Sequence, residues 1–274
     1  MGGFARRMSY WNAFAHRYPR LHALRLDTGA IFSVGAVESS AVNRWLLEGT
    51  RRSNLDAVNL NAWDLPVWQE LCSLAEAGLV ARDLLDLPLV SANVTPKLDH
   101  FPGVRRSIVK EITVDEKSGR KVRIGITGLL HDPEERISRA DFIVEDPTNA
   151  ARAIVAELSS KTDFRVVMTD MDLGRGLSLA IAVRGINLLV VSHNYVALQE
   201  AQQIGDTLIV VVVNEGRMLN EVRLALPVGS DSVQAEARFV PLDRTIPDEP
   251  GMAELIRRAQ TEADNARRGI SPAR

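Results

Sequence analysis

A single histidine stands at the end of a strongly apolar segment. Leu188–Val191 are all aliphatic and lead into Ser192 and His193, which is typical of a buried strand that delivers an imidazole at its carboxyl end. Such an imidazole either ligates a metal ion or hydrogen-bonds a neighbouring loop. Because a catalytic zinc normally has three protein ligands, a metal role for His193 requires partners from other strand ends.

Other predicted strands also end in polar residues. In an open α/β sheet, ligands bind beyond the carboxyl ends of the strands, so these ends are the places to look for chemistry. We expect any partners of His193 at these ends. The segments concerned are Asp27–Ala30, Asn61–Asp64, Asn93, Thr169–Asp170 and His193–Tyr195.

The elements that carry these ends alternate between strands and helices. Apolar periodicity, caps and turn residues predict their positions. Strands are predicted over 21–27, 56–61, 88–94, 164–170, 186–193 and 233–242, helices over 4–18, 36–50, 66–77, 146–160, 175–185 and 251–268, hairpins over 105–129 and 206–226, and a loop over 131–145. The β-α-β alternation at the start favours a parallel sheet covered by helices, and the hairpins favour a second, more antiparallel sheet. We expect both in one domain over residues 1–274.

The bulk composition is that of an ordinary soluble globular protein. Of 274 residues, 46% are hydrophobic and 25% charged, and the formal net charge is -2, so no excess of one sign indicates a nucleic-acid or membrane partner. No apolar run is long enough to span a bilayer, and no signal peptide is found. We expect a cytoplasmic protein, the alternative being a precursor that has lost its leader.

Cys72 is the only cysteine, which excludes an internal disulfide and a thiolate metal cage. It lies in an apolar helical pattern and is predicted to be a core residue.

Segments along nearly the whole chain are similar to known sequence motifs. PLVSANV is close to a Ser-Ala-Asn-Val strand, KVRIGITGL to a Lys-Val-x-Ile-x-Gly-Leu strand, and GGFAR to a Gly-Gly-x-Ala-Arg start. Four further segments lie at the positions of other sequence blocks: LRLDTGA at Leu-Asp-x-Gly-Asp, DAVNLNAWDL at Gly-Asn-His-Glu, VVMTD at Leu-Thr-His and INLLVVSHNY at Gly-His-x-His. VPLDRTIPDEPGM is similar to the segment that ends such a domain. In this order they resemble the calcineurin-like metallophosphoesterases of the 5′-nucleotidase type.

The resemblance implies a fold and a chemistry. The fold is a four-layer α/β/β/α sandwich of the metallo-dependent phosphatase type, with two packed mixed sheets flanked by helices. Two metal ions between the sheets polarise a phosphate and activate a water. The family also has a first strand with an Asp-x-His motif, which this sequence lacks, and a C-terminal nucleotide-recognition domain, which would begin near residue 260 and is not found. Many members of the family are exported.

The metal-binding motifs of the family are altered in the first half of the chain. The bridging aspartate falls on Ala30, the asparagine ligand falls on Ala62, and the histidine that stabilises the phosphate falls on Trp63. An alanine has no lone pair for a metal. Losing a bridging carboxylate also removes the negative charge that lets two cations lie close together.

The motifs of the second half are altered less completely. One histidine of the family falls on Asp170, and the paired histidines of the last motif fall on His193, which matches, and on Tyr195, which does not. His193 and Asp170 are therefore the metal ligands that the resemblance leaves. Two such ligands do not make a two-metal site.

The remaining polar residues each have a structural interpretation beside a functional one. Asp27 is expected to stabilise a turn, Asp64 to cap the helix that follows it, and Asn93 to hold loops together. Trp63 and Tyr195 are expected to fill the emptied cleft with apolar bulk. His131 either reaches the cleft or is an exposed loop residue, and Arg6 and Arg7 either bind an anion or form a solvated helix face.

Three hypotheses follow. The leading one is a catalytically degenerate domain without a cofactor, which acts as a binding or structural subunit, with another protein as its partner in a larger assembly. The alternative is a phosphoester hydrolase with a rebuilt single-metal site for Zn, Mn or Fe, made from His193, Asp170 and a further residue such as Asp64 or His131. The third is a truncated copy whose first strand is absent or comes from another chain.

Overall fold

The structure, a computed structural model, describes residues 3–36, 38–99, 101–115, 119–132, 137, 140–194, 200–213, 216–225, 227 and 233–269. Within these ranges the α-helices are Phe4–Arg17 (α1), Ser39–Arg52 (α2), Leu65–Glu76 (α3), Pro147–Ser159 (α4), Leu173–Ala182 (α5) and Pro250–Arg267 (α6), and a 3₁₀ turn spans Arg82–Leu85. The strands are Leu26–Asp27 (β1), Ala57–Asn59 (β2), Leu89–Val90 (β3), Val94–Pro96 (β4), Ser107–Asp115 (β5), Arg120–Leu129 (β6), Phe142–Val144 (β7), Phe164–Thr169 (β8), Leu188–Asn194 (β9), Gln202–Ile204 (β10), Thr207–Val213 (β11), Met218–Ala225 (β12) and Gln234–Pro241 (β13).

The larger sheet has the strand order β10-β11-β9-β8-β6-β5. Its four central strands run parallel, and β5 and β10 pair antiparallel at the two edges. The central strands are almost continuously aliphatic because both faces of the sheet are buried. Val166 and Met168 of β8, for example, face one apolar cluster, while Val167 between them faces another.

Helices α4 and α5 cover the outer face of the larger sheet. Asp146 caps α4 by accepting the backbone N–H of Asn149 at 2.8 Å, and Pro147 follows at the first turn, where proline is favoured. Ile154 and Leu158 of α4 and Leu179 of α5 are buried against this sheet. The inner face packs on a second sheet, so the larger sheet lies between two layers.

The smaller sheet is parallel, with the order β1-β2-β3 and strands of only two or three residues. Ala57 and Val90 face the larger sheet, whereas Val58 and Leu89 face the cluster around Trp68 of α3. Leu47 of α2 and Cys72 of α3 belong to that outer cluster and are fully buried, which confirms that Cys72 is a core residue. The layer order of helices, sheet, sheet and helices confirms the predicted four-layer sandwich.

The two sheets are in close contact at Gly128 of β6. A Cβ atom placed there would lie 2.1 Å from Oδ1 of Asn59 and 2.5 Å from the backbone oxygen of Val90. Only glycine fits at such a distance. The Asn59 side chain donates through Nδ2 to the carbonyls of Thr28 and Leu129 at 3.4 Å, so β2 contacts both its neighbour β1 and the larger sheet at this point.

Some predicted elements differ from the structure. The hairpin over 206–226 is wrong: β11 lies between β9 and β10 in the larger sheet, whereas β12 pairs with β13 in a separate two-stranded sheet. The strand over 88–94 divides into β3 and β4, because Ser91–Asn93 turn inward with buried side chains. The loop over 131–145 contains β7, which pairs with β4 and buries Phe142 against Phe101.

Within the described ranges, no helix combines the length and apolar character that crossing a bilayer requires.

Candidate functional site

Asp64 lies in the loop after β2 and holds the loop after β1 in place. It occupies the N-cap position of α3 but makes no capping bond with its side chain, so the predicted capping role is wrong. Its Oδ1 instead accepts the backbone N–H of Phe32 at 3.1 Å, and the amides of Ile31 and Ala30 also donate to the carboxylate. Only 1% of Asp64 is exposed. The carboxylate therefore binds consecutive amides of the neighbouring loop, as an anion would be bound.

Asp170 lies on the other side of the cleft, directly after β8, and its carboxylate also accepts backbone N–H groups of neighbouring loops. Its Oδ1 accepts the backbone N–H of His131 at 2.5 Å, and its Oδ2 accepts the backbone N–H of Ala62 at 3.3 Å. The residue is 6% exposed. One carboxylate thus joins the loop after β2 in the smaller sheet to the loop after β6 in the larger one.

Burial raises the pKa of both carboxyl groups to about 7. The backbone N–H donors act in the opposite direction, since they stabilise the charged form. The charge of Asp27 further raises the pKa of Asp64, and the charge of Asp64 further raises that of Asp170. The structure therefore couples Asp64 electrostatically to Asp27 on one side and to Asp170 on the other, all three at predicted strand ends.

Asn93 holds loops together, as the sequence predicts. Its Nδ2 donates to the carbonyls of Leu130 at 2.8 Å and Glu145 at 3.2 Å, and its Oδ1 accepts the backbone N–H of Leu130 at 2.8 Å. Ser91 Oγ lies 3.2 Å from the same Oδ1. With 2% exposure, Asn93 has its amide satisfied by backbone groups of the protein.

Sequence reasoning missed Asn59, although it assigned strand to the segment that contains it. Asn59 is 1% exposed at the point where the two sheets touch, and its Oδ1 has no hydrogen-bond partner within the described residues. The available signal was an amide inside the buried strand AVN, where an aliphatic residue is usual. Gly29 nearby has φ of 82°, and a Cβ there would lie 2.6 Å from the Asn59 carbonyl oxygen. The loop after β1 is therefore packed directly on β2.

The positions on which the resemblance places altered ligands are exposed or half-buried. Ala30 is exposed, with φ of 57°, and Ala62 is half-buried. Trp63 is 44% exposed, and its backbone N–H donates to Asn61 Oδ1 at 2.9 Å. The expectation that Trp63 fills the cleft with apolar bulk stays a prediction. Tyr195 lies outside the described residues.

The histidines and arginines named from the sequence have different outcomes in the structure. His193 lies in β9, and its side chain is outside the described part of the chain. His131 is half-buried and reaches the cleft through its backbone bond to Asp170. The solvated face predicted for Arg6 and Arg7 is wrong, since their side chains are only 18% and 16% exposed. Asp27 stabilises its turn by accepting the N–H of Gly29 at 3.1 Å, as predicted, and also pairs with Arg7 at 2.8 Å.

A two-metal centre does not fit the described side chains. Ala30 and Ala62 offer no ligand atoms, and the oxygens of Asp64 and Asp170 accept backbone N–H groups. Within the described residues, no group of three or more His, Cys, Asp or Glu side chains is arranged to hold a metal ion.

The amino-acid sequence matches no protein-family model and no curated protein. Solved structures match it well. The sulfate thiohydrolase SoxB of Thermus thermophilus, in complex with glycerol, superposes with a TM-score of 0.76 at 16% identity, over 97% of this chain and 48% of SoxB. A 5′-nucleotidase precursor, also of Thermus thermophilus, gives 0.71 at 20% identity, over 95% and 53%. The NAD nucleotidase NadN of Haemophilus influenzae gives 0.72 at 13% identity, over 97% and 55%.

The chain thus spans about half the length of each of these proteins. Identities of this size establish a fold and leave activity open. The layer order, the parallel smaller sheet and the three superpositions agree with one another. The chain has the metallophosphoesterase fold of 5′-nucleotidase N-terminal domains.

Proposed function

We propose that this metallophosphoesterase-fold domain is catalytically degenerate and acts as a binding or structural subunit. One observation carries the proposal: the buried carboxylates of Asp64 and Asp170 accept backbone N–H groups from neighbouring loops. These bonds hold each carboxylate in place and join the loops that carry its donors, so they account for its burial without a metal ion. The acids that remain in the cleft therefore have a structural role.

Electrostatics supports the same conclusion. Two divalent cations a few ångströms apart repel each other strongly, and bridging and terminal anions must offset this repulsion. The resemblance places the bridging aspartate at Ala30, and the remaining acids have pKa values raised to about 7. A carboxyl group whose pKa is raised by burial holds its proton more tightly, and metal binding has to displace that proton.

The bonds of the cleft also explain why it keeps its shape. Asp64 joins the loops after β1 and β2, Asp170 joins the loops after β2 and β6, and Asn93 joins the loops after β6 and β7. Metal ions hold such loops together in a metalloenzyme, whereas here protein hydrogen bonds hold them. A rigid surface is what a binding subunit needs, and we propose another protein in a larger assembly as its partner.

Metal content and hydrolysis test this proposal together. Protein purified without chelators is analysed for Zn, Mn and Fe, and is assayed with p-nitrophenyl phosphate in the presence of each added ion. We expect metal far below stoichiometry and no hydrolysis above that of buffer. Near-stoichiometric metal together with hydrolysis that His193→Ala abolishes would contradict the proposal. His22→Ala, at an exposed position, is the matched control.

The rival hypothesis of a rebuilt single-metal hydrolase makes a different prediction for Asp170. If Asp170 ligates a catalytic ion, Asp170→Asn lowers both the metal content and the rate. If Asp170 only joins loops, the same change alters thermal stability and leaves metal content unchanged. Asp99→Asn, at an exposed turn, controls for the loss of one negative charge. Copurification of the tagged protein then identifies its partner.

A further inference from the structure

We draw no further inference here: the strongest candidate, a cavity of about 510 Å³ between the start of α4 and α5, is lined by the carboxylates of Asp132, Glu145 and Asp146 together with the guanidinium of Arg175 and the first turn of α4, so its charges favour no single class of ligand, and nothing in the described residues shows what occupies it.

Discussion

The two sheets of this protein depend on different forces. The larger sheet has strands of up to ten residues, aliphatic side chains on both faces and continuous backbone ladders. The smaller sheet has strands of two or three residues, and buried polar side chains fix the loops that follow them. Both sheets bury apolar side chains, but the smaller one depends in addition on a few specific hydrogen bonds. Substitutions at single polar residues should therefore affect the smaller sheet far more than its size suggests.

The contact between the sheets should be the most sensitive position. Gly128→Ala places a methyl group 2.5 Å from the carbonyl oxygen of Val90, a backbone atom that cannot turn aside. We expect a loss of about 3 kcal/mol in the free energy of unfolding, measured by urea denaturation. Gly103→Ala is the control, because a Cβ there has no atom within 4 Å. Similar midpoints for both variants would show that the sheets are not in tight contact.

The loops at the strand ends should come next. Asn93→Ala removes the partner of the Leu130 N–H and of the carbonyls of Leu130 and Glu145. Leaving buried backbone groups unpaired should cost about 2–3 kcal/mol, seen as a lower melting temperature. Asn12→Ala, at an exposed position of α1, should change little. Equal losses in the two variants would contradict a special role for hydrogen bonds in the smaller sheet.

The contribution of the buried acids of the cleft to the stability of the protein should depend on pH. Asp64 and Asp170 have pKa values of about 7 in the folded protein and about 4 in an unfolded chain. The folded state therefore binds more protons between these values, and the contribution of both groups to stability is full below pH 4 and is lost as the pH rises through 7.

Replacing one acid by its amide removes this dependence. The melting temperature of Asp64→Asn minus that of the wild type should rise between pH 5 and pH 8, by the equivalent of about 1–2 kcal/mol. Asp99→Asn should give a constant difference. A difference that falls with increasing pH for Asp64→Asn would mean that the carboxylate is stabilised in its charged form.

The smallest effect is expected at the most conspicuous side chain. Trp63 is 44% exposed, so Trp63→Ala should change stability by no more than about 0.5 kcal/mol, as measured by thermal melting. A loss of several kcal/mol would show that the indole is packed in the cleft, as the sequence had led us to expect.

The sequence predicts the framework of the fold well, because aliphatic runs and capped helices reveal it. INLLVVSH and the Asp146–Pro147 start of α4 are read directly from local pattern. The separation of β11 from β12 is not local: both are apolar strands with a short connection, and only the three-dimensional packing assigns β11 to the larger sheet. The short strand β7 has too few residues for a period to appear.

The candidate site could be located from sequence but not understood from it. Asp64, Asn93 and Asp170 were recognised as residues at strand ends, and the structure places them there. Their partners are backbone N–H and C=O groups of distant loops, which no sequence pattern specifies. Asn59 was missed for the same reason, since its role depends on a glycine in another sheet.

The loop bonds of Asp64 have an evolutionary consequence under the proposed loss of catalysis. Restoring a carboxylate at position 30 would add a charge beside Asp64 without completing a set of metal ligands, and freeing Asp64 for a metal would release the amides of residues 30–32. These two steps back toward an enzyme would thus lower stability before they restore activity. The loss of catalysis would then be hard to reverse by single substitutions. Selection could improve the surfaces of the protein for binding other partners without restoring the catalytic activity.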